Sequence, residues 1–242
     1  MIDGILLFFI LLLIYSFWWF DFSFFNRNVS KFVKEFKKEI KKNDIIIIIN
    51  AGGWGTVPYE KALDLNPFSD FIKDYLKEKG YKVSIIQYFR TEDHLIGRLG
   101  YIKDYILDFK KQSSHISSII KETEKKIILI GLSNGALLVD EIMEKVKDKE
   151  NIFSIEIGKP FFGVHSENKN ILLIRNPEDR LCNKDFVELF KSLFIFAPLR
   201  WLKNLILGEG ISFNSSVEIK GHNYILQKHK IKISNFIDEK II

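Results

Sequence analysis

Much of what would classify this chain at a glance is scarce or missing. One cysteine in 242 residues leaves no disulfide framework within the chain and no cysteine-based zinc site. Only five prolines occur, and no internal repeat or low-complexity linker interrupts the sequence. With 28% charged and 14% aromatic residues, global disorder is excluded as well. No H-x-x-x-H pair or carboxylate cluster suggests a metal, and neither G-x-G-x-x-G nor a Walker lysine suggests a nucleotide, so no cofactor is expected. A general positive field is missing too. The net charge is +5, but residues 21–43 alone contribute +4, through Arg27 and lysines 31, 34, 37, 38, 41 and 42 against Asp21, Glu35 and Glu39. The rest is nearly neutral, so a nucleic-acid partner has no support.

What the first forty residues do have is a long apolar run and a basic collar. Residues 1–20 contain one charged side chain, Asp3, and Gly4 to Phe20 runs without charge or proline. As a helix this run reaches roughly 26 Å, close to a ~30 Å hydrocarbon layer. Trp18 and Trp19 stand where indole rings favour the membrane interface. A cleaved signal peptide needs a basic start and a small-x-small cleavage site, and neither is present. The expectation is an uncleaved anchor helix over residues 1–25, in contact with the bilayer through residues 4–20. The cations lie on its C-terminal side, so a single pass would leave the globular part facing the cytoplasm. On that side the Asn-x-Ser sequons at Asn28 and Asn214 are chance matches. Residues 26–43 read as a juxtamembrane helix with Phe32, Phe36 and Ile40 on one face. Its lysines suit anionic lipid headgroups; alternatively, the stripe packs on the globular domain.

Residues 44–242 alternate strand and helix, as one domain. Asp44–Asn50 is a continuous β-branched run, the pattern of a strand covered on both faces. A helix follows, with Asn66 as N-cap, Pro67 in the first turn and Gly80 as its stop. Strands are expected over 82–89, 126–131, 152–157, 170–174 and 217–220, and helices within 100–123, over 136–146 and over 223–239. This spacing predicts an α/β fold with a mostly parallel sheet and helices on both faces.

Gly131-Leu-Ser133-Asn-Gly135 lies between the strand KIILI and the helix ALLVDEIMEKV. A serine presented above a sheet must sit on a sharp strand-to-helix turn. The positions two before and two after it press on neighbouring backbone, which calls for glycine at both. Taken with the α/β alternation, the chain resembles the α/β-hydrolase superfamily over about residues 44–242, with too few residues between the strands at 152–157 and 170–174 for a large cap. The resemblance implies a serine esterase- or lipase-like enzyme acting on carboxylic esters, with Ser133 as nucleophile. It implies Asp179, after the strand NILLI, as the acid, and His222, after VEIKG, as the base; Glu178 and Asp185 are neighbouring alternatives to Asp179. It further implies an oxyanion hole from the N–H of Asn134 and the loop Asn50–Gly55, through Gly53 and Trp54. The substrate would be a small acyl ester, or an acyl lipid at the membrane. A thioesterase or acyltransferase would use the same triad, and a non-catalytic member would keep the fold as a membrane-tethered binding protein. His94, His115, His165 and His229 lack a motif, and Cys182 reads as a free structural thiol. The apolar stretch FVELFKSLFIFAPLRWLKNLILGEG, between Asp179 and His222, reads either as a hydrophobic flap or as a pair of core helices.

Overall fold

The computed structural model describes residues 2–92, 109–162, 166–208 and 219–242, without the side chains of 2–7, 17–26, 186, 188, 189, 193 and 194. Five strands form one sheet: β1 (Ile45–Asn50), β2 (Val83–Gln87), β3 (Lys126–Leu132), β4 (Ile152–Ile157) and β5 (Ile171–Ile174). All pair in parallel, in the order β2-β1-β3-β4-β5. The β-branched runs have their physical reason here. Every residue of β1 is buried, with Ile45, Ile47 and Ile49 in one apolar cluster and Ile46 and Ile48 in the other.

Helices cover both faces. Against the first lie α2 (Asn66–Glu78), through Phe68, Ile72 and Leu76, and the closing α7 (Lys230–Lys240), through Ile233, Phe236 and Ile237. Against the second lie α3 (Lys110–Lys121), through Ile116 and Ile120, and α4 (Asn134–Lys145), through Leu138, Val139 and Ile142. The remaining α-helices among the described residues are α1 (Ile2–Glu39), α5 (Phe186–Lys191) and α6 (Ala197–Ile206), the last two joined by a π-helical stretch, Ser192–Phe196.

The collar is not a separate element. It is the C-terminal half of α1, and its stripe packs on the domain: Phe32 and Phe36 are buried, and Phe32 meets Tyr88 edge-on at 5.4 Å. Lysines 31, 34, 37, 38, 41 and 42 remain exposed around it. Earlier in the same helix, every side chain from Phe8 to Tyr15 is exposed. Among the described residues no helix is long and apolar enough to cross a membrane; most of the flanks of the Gly4–Phe20 run lie outside the described side chains.

Local differences from the sequence expectations have simple causes. Helix α2 begins at Asn66 itself, after Leu65 in helical geometry with no side-chain cap, so Asn66 is not the N-cap; Pro67 does sit in the first turn, where its missing N–H costs nothing. No strand forms at Ile219 and Lys220, and residues 217–218 of that expected strand lie outside the described residues. Residues 223–229 are not α-helical: a 3₁₀ turn, Leu226–Lys228, precedes α7. The first part of the helical stretch expected over 100–123 also falls outside the described residues.

What this architecture positions is set by register. Asn50 pairs with Gly131, Leu132 with Ile157, and Ile157 with Ile174, so the C-terminal ends of β1, β3, β4 and β5 share one sheet edge. Chain order reverses between β1 and β3, and the crevice outside such a reversal is where open parallel sheets bind ligands. The tightest packing lies there. A Cβ on Gly135 would strike the Asn50 carbonyl oxygen and stand 2.8 Å from that of Ala51, and one on Gly131 would come within 2.6 Å of Ala136 Cα. All of these are backbone atoms, which cannot swing aside. Gly135→Ala is therefore expected to cost about 1–3 kcal/mol of stability, read as a lowered urea midpoint; an unchanged midpoint would contradict this packing.

Candidate active site

Ser133 occupies the turn between β3 and α4 with φ 52° and ψ −121°. Such geometry costs a non-glycine residue on the order of 1–3 kcal/mol, and it persists only where the surroundings over-determine it. They do so here. The Ser133 N–H donates to the Ile157 carbonyl at 2.8 Å, its own carbonyl accepts from the Ala136 N–H at 2.8 Å, and both flanking glycines are pressed against backbone. Its side chain is partly exposed rather than sunk in the core. Asn134 follows as the first residue of α4, where helix geometry leaves the backbone N–H without an intrahelical acceptor.

Two loops bring the remaining candidates to the ends of β4 and β5. Asp179 follows β5 and is fully buried. Its Oδ2 accepts from His222 Nδ1 at 2.7 Å, from the Tyr224 hydroxyl at 2.6 Å and from Cys182 Sγ at 3.0 Å, and its Oδ1 accepts from the Leu181 N–H at 2.9 Å. Of the three acids, Asp179 is the one bonded to the His222 ring; Glu178 is exposed and Asp185 pairs with Arg180 at 3.8 Å. Burial pulls the Asp179 carboxyl upward. The hydrogen bonds from His222 and Tyr224, with the attraction of the His222 ring and the Cys182 thiol, outweigh it and hold the group down at about 2.

The His222 loop is stitched to the Asp179 loop. Asn176 Nδ2 donates to the Gly221 carbonyl at 2.8 Å and the Arg180 N–H to that of Lys220 at 3.3 Å. Gly221 has φ 78°, and a Cβ there would stand 2.6 Å from Asp179 N. The ring itself lies over the end of β4: a Cβ on Gly158 would meet His222 Cε1 at 3.0 Å. Gly158 directly follows Ile157, the residue whose carbonyl holds the Ser133 N–H, so serine and imidazole flank the same strand end. Nδ1 is committed to Asp179, which leaves Nε2 as the free ring nitrogen. Ser133 Oγ makes no hydrogen bond to the ring in this structure; such bonds are often long in free enzymes and tighten when substrate binds.

The glycine-rich loop closes the crevice from the β1 side. Gly53 and Gly55 have φ of 55° and 71°, and the Gly55 N–H turns back onto the Gly52 carbonyl at 3.1 Å. The carbonyls of Ala51, Gly52 and Gly53 are gathered by the buried Arg90, whose Nη2 donates to them at 2.5, 3.2 and 2.8 Å. Trp54, beside Gly53, packs against the second apolar cluster rather than standing free.

Tyr224 and Arg90 carry no motif in the sequence, and Cys182, a free thiol as expected, has a contact that the sequence did not announce. Tyr224 shares Oδ2 with His222, meets its ring edge-on at 5.8 Å and accepts from the Asn176 N–H at 3.2 Å. Its only advance signal was its place two residues after the histidine. Cys182 points its thiol at the same oxygen, and burial pushes that thiol up to about 12, so it stays protonated and donates. Arg90 follows β2 with no motif around it. Elsewhere, the carboxylates of Asp140 on α4 and Glu156 on β4 share the Lys159 ammonium at 2.9 and 3.1 Å, all three nearly fully buried, tying the serine's helix to the strand beneath His222. The other described histidines sit elsewhere in the fold. His115 is exposed on α3, His229 lies beside Phe68 and Tyr224, and His94 and His165 fall outside the described residues. Asp179, Cys182 and His222 could each offer a metal one atom, but all three are already bonded to one another through the carboxylate. A cavity of about 620 Å³ lies elsewhere, between α1 and the edge strand β2, lined by Phe32, Tyr59 and Gln87 among others.

No protein-family model and no curated protein matches the chain. Among solved structures it is similar to the Trichoderma reesei cutinase in complex with a C11Y4 phosphonate inhibitor, with a TM-score of 0.44 and 12% identity, over 66% of this chain and 77% of that one.

The lowered Asp179 group makes a signed prediction. Its carboxylate stabilises the fold fully above the unfolded value of 3.8, and that stability is lost as pH falls towards about 2. Wild-type protein should lose roughly 2 kcal/mol over that window through this group, and Asp179→Asn, less stable at neutral pH, should lose correspondingly less. Urea unfolding across the window checks this; identical acid slopes would contradict it.

Proposed function

We propose that this protein is a serine hydrolase of the α/β-hydrolase kind, cleaving carboxylic esters through an acyl-enzyme on Ser133. One observation carries the reading: a serine held at φ 52° on a strand–helix turn, at the same strand end as a histidine whose Nδ1 is already bonded to a buried carboxylate. In the mechanism this supports, Ser133 Oγ attacks the acyl carbonyl carbon while His222 Nε2 takes the hydroxyl proton. Asp179 fixes the ring tautomer and stabilises the imidazolium. The carbonyl electrons collect on oxygen, facing the Asn134 N–H and an N–H of the Gly53–Trp54 loop; one such donor is worth roughly 2.7–4 kcal/mol in the transition state. His222 then returns its proton to the leaving alcohol. Water, deprotonated by the same ring, releases the acid.

The proposal extends to place. Residues 4–20 form a membrane anchor, and the lysines that follow leave the globular part on the cytoplasmic side. The exposure of Phe8–Tyr15 supports an anchor. Eight consecutive side chains cover every side of a helix, and hydrocarbon is the surrounding that satisfies all sides at once.

Hydrolysis of p-nitrophenyl esters tests the chemistry. Ser133→Ala and His222→Ala should each lower kcat by roughly 10³-fold or more, and Asp179→Asn by about 10²–10⁴-fold, with KM little changed. A folded wild-type protein with no turnover of oxygen esters or thioesters would reject the hydrolase in favour of a tethered binding protein. Faster turnover of thioesters would place it among thioesterases using the same residues.

A further inference from the structure

The helical segment that follows the Asp179 loop is built the wrong way round for a core. In α6, Leu199, Leu202 and Ile206 recur at helical spacing, which puts them on one face. That face is turned outward: they are 59%, 49% and 76% exposed, and Leu205 beside them 58%. Ala197 is the buried side chain of this helix. Val187 and Phe190 on α5, and Ile195 and Phe196 on the π-helical stretch, are exposed as well. For α6 the core-helix reading does not hold: its periodicity is real, but the stripe is exposed.

We propose that this face lies on the surface of an anionic lipid bilayer. Charge selects the occupant. Between Glu188 and Glu209 the chain holds no acid, while Lys191, Arg200 and Lys203 are its only charged residues. Lys203 borders the apolar stripe on one side with Arg200 beyond it, and Trp201 lies on the other side. An apolar stripe bordered by cations, with an indole nearby, suits a helix lying in the headgroup layer, each cation adding ~1 kcal/mol near an anionic surface. The same build recurs in α1, where exposed Phe8–Tyr15 leads into a collar of exposed lysines. A second copy of the chain would bring the same cations face to face. An acidic protein groove would not account for the Phe8–Tyr15 stretch of α1, whose side chains are uncovered all round.

The inference deepens the hydrolase reading. Helix α5 begins at Phe186, close in sequence to Asp179. A docked segment would therefore hold the crevice next to the layer in which long-chain acyl esters reside, and makes such lipids the substrate class.

The test uses the full chain in vesicles of phosphatidylcholine and phosphatidylglycerol. Leu202→Cys, and separately Leu199→Cys, carries an environment-sensitive fluorophore; native Cys182 is buried, and the unsubstituted chain controls for its labelling. Asn235→Cys, on the exposed side of α7, is the reference position. Doxyl lipids should quench the labels at 199 and 202 several-fold more than the label at 235. Arg200→Gln with Lys203→Gln, or vesicles without the anionic lipid, should reduce that difference. Quenching at 199 and 202 no stronger than at 235 would overturn the proposal, as would a difference indifferent to lipid charge. Fluorophosphonate labelling of the same samples reads the hydrolase separately, so failure of one is not mistaken for failure of the other.

Discussion

The contact on which the candidate site depends is backbone against backbone. Helix α4 can start where it does only because Gly135 presents no Cβ to the Asn50 and Ala51 carbonyls, and Gly131 none to Ala136. That approach brings the end of β1 against the start of α4 and leaves Ser133 no relaxed conformation between them. The strain of its φ of 52° is stored in a parallel sheet whose central strands are almost entirely buried, which is stiff enough to keep it. Everything else converges on this point. Arg90 fixes the loop on one side, and the Ile157 carbonyl fixes the serine's own N–H on the other.

A second constraint is electrostatic. A carboxylate with no exposed surface would ordinarily take up a proton. Asp179 stays charged because four donors converge on it, none of them from the sheet: Leu181 and Cys182 lie on its own loop, and His222 and Tyr224 on the loop packed against it. A permanent negative charge beside Nδ1 fixes the histidine tautomer and leaves Nε2 as the proton acceptor. The same convergence explains why the neighbouring thiol is a poor nucleophile: it spends its proton on Asp179, and burial keeps it there.

Legibility followed locality. The strands over 45–50, 126–132 and 152–157 were readable because fully buried parallel strands need unbroken apolar runs, and the serine's turn because its glycines sit at fixed offsets. Asp179 could be named but not separated from Glu178 and Asp185, since burial of one of them depends on a turn held by Asn176. His222 was found through an expected strand that does not form in its described part; what places the ring is Gly221 packed on the Asp179 loop. Tyr224 and Arg90 act across the fold, and no local pattern announces them. In residues 186–206, as in the collar of α1, periodicity revealed a stripe but not its partner: Phe32 and Phe36 turned inward and Leu199 and Leu202 outward.

The account stands or falls on whether Ser133 is a nucleophile. The direct measurement is to treat the folded full-length chain with a fluorophosphonate and locate the adduct by peptide mass mapping. A single stoichiometric adduct on Ser133, formed far more slowly when His222 is replaced by Gln, is the predicted result. A folded protein that stays unmodified, or one modified on another residue at the same rate with and without the imidazole, would contradict it.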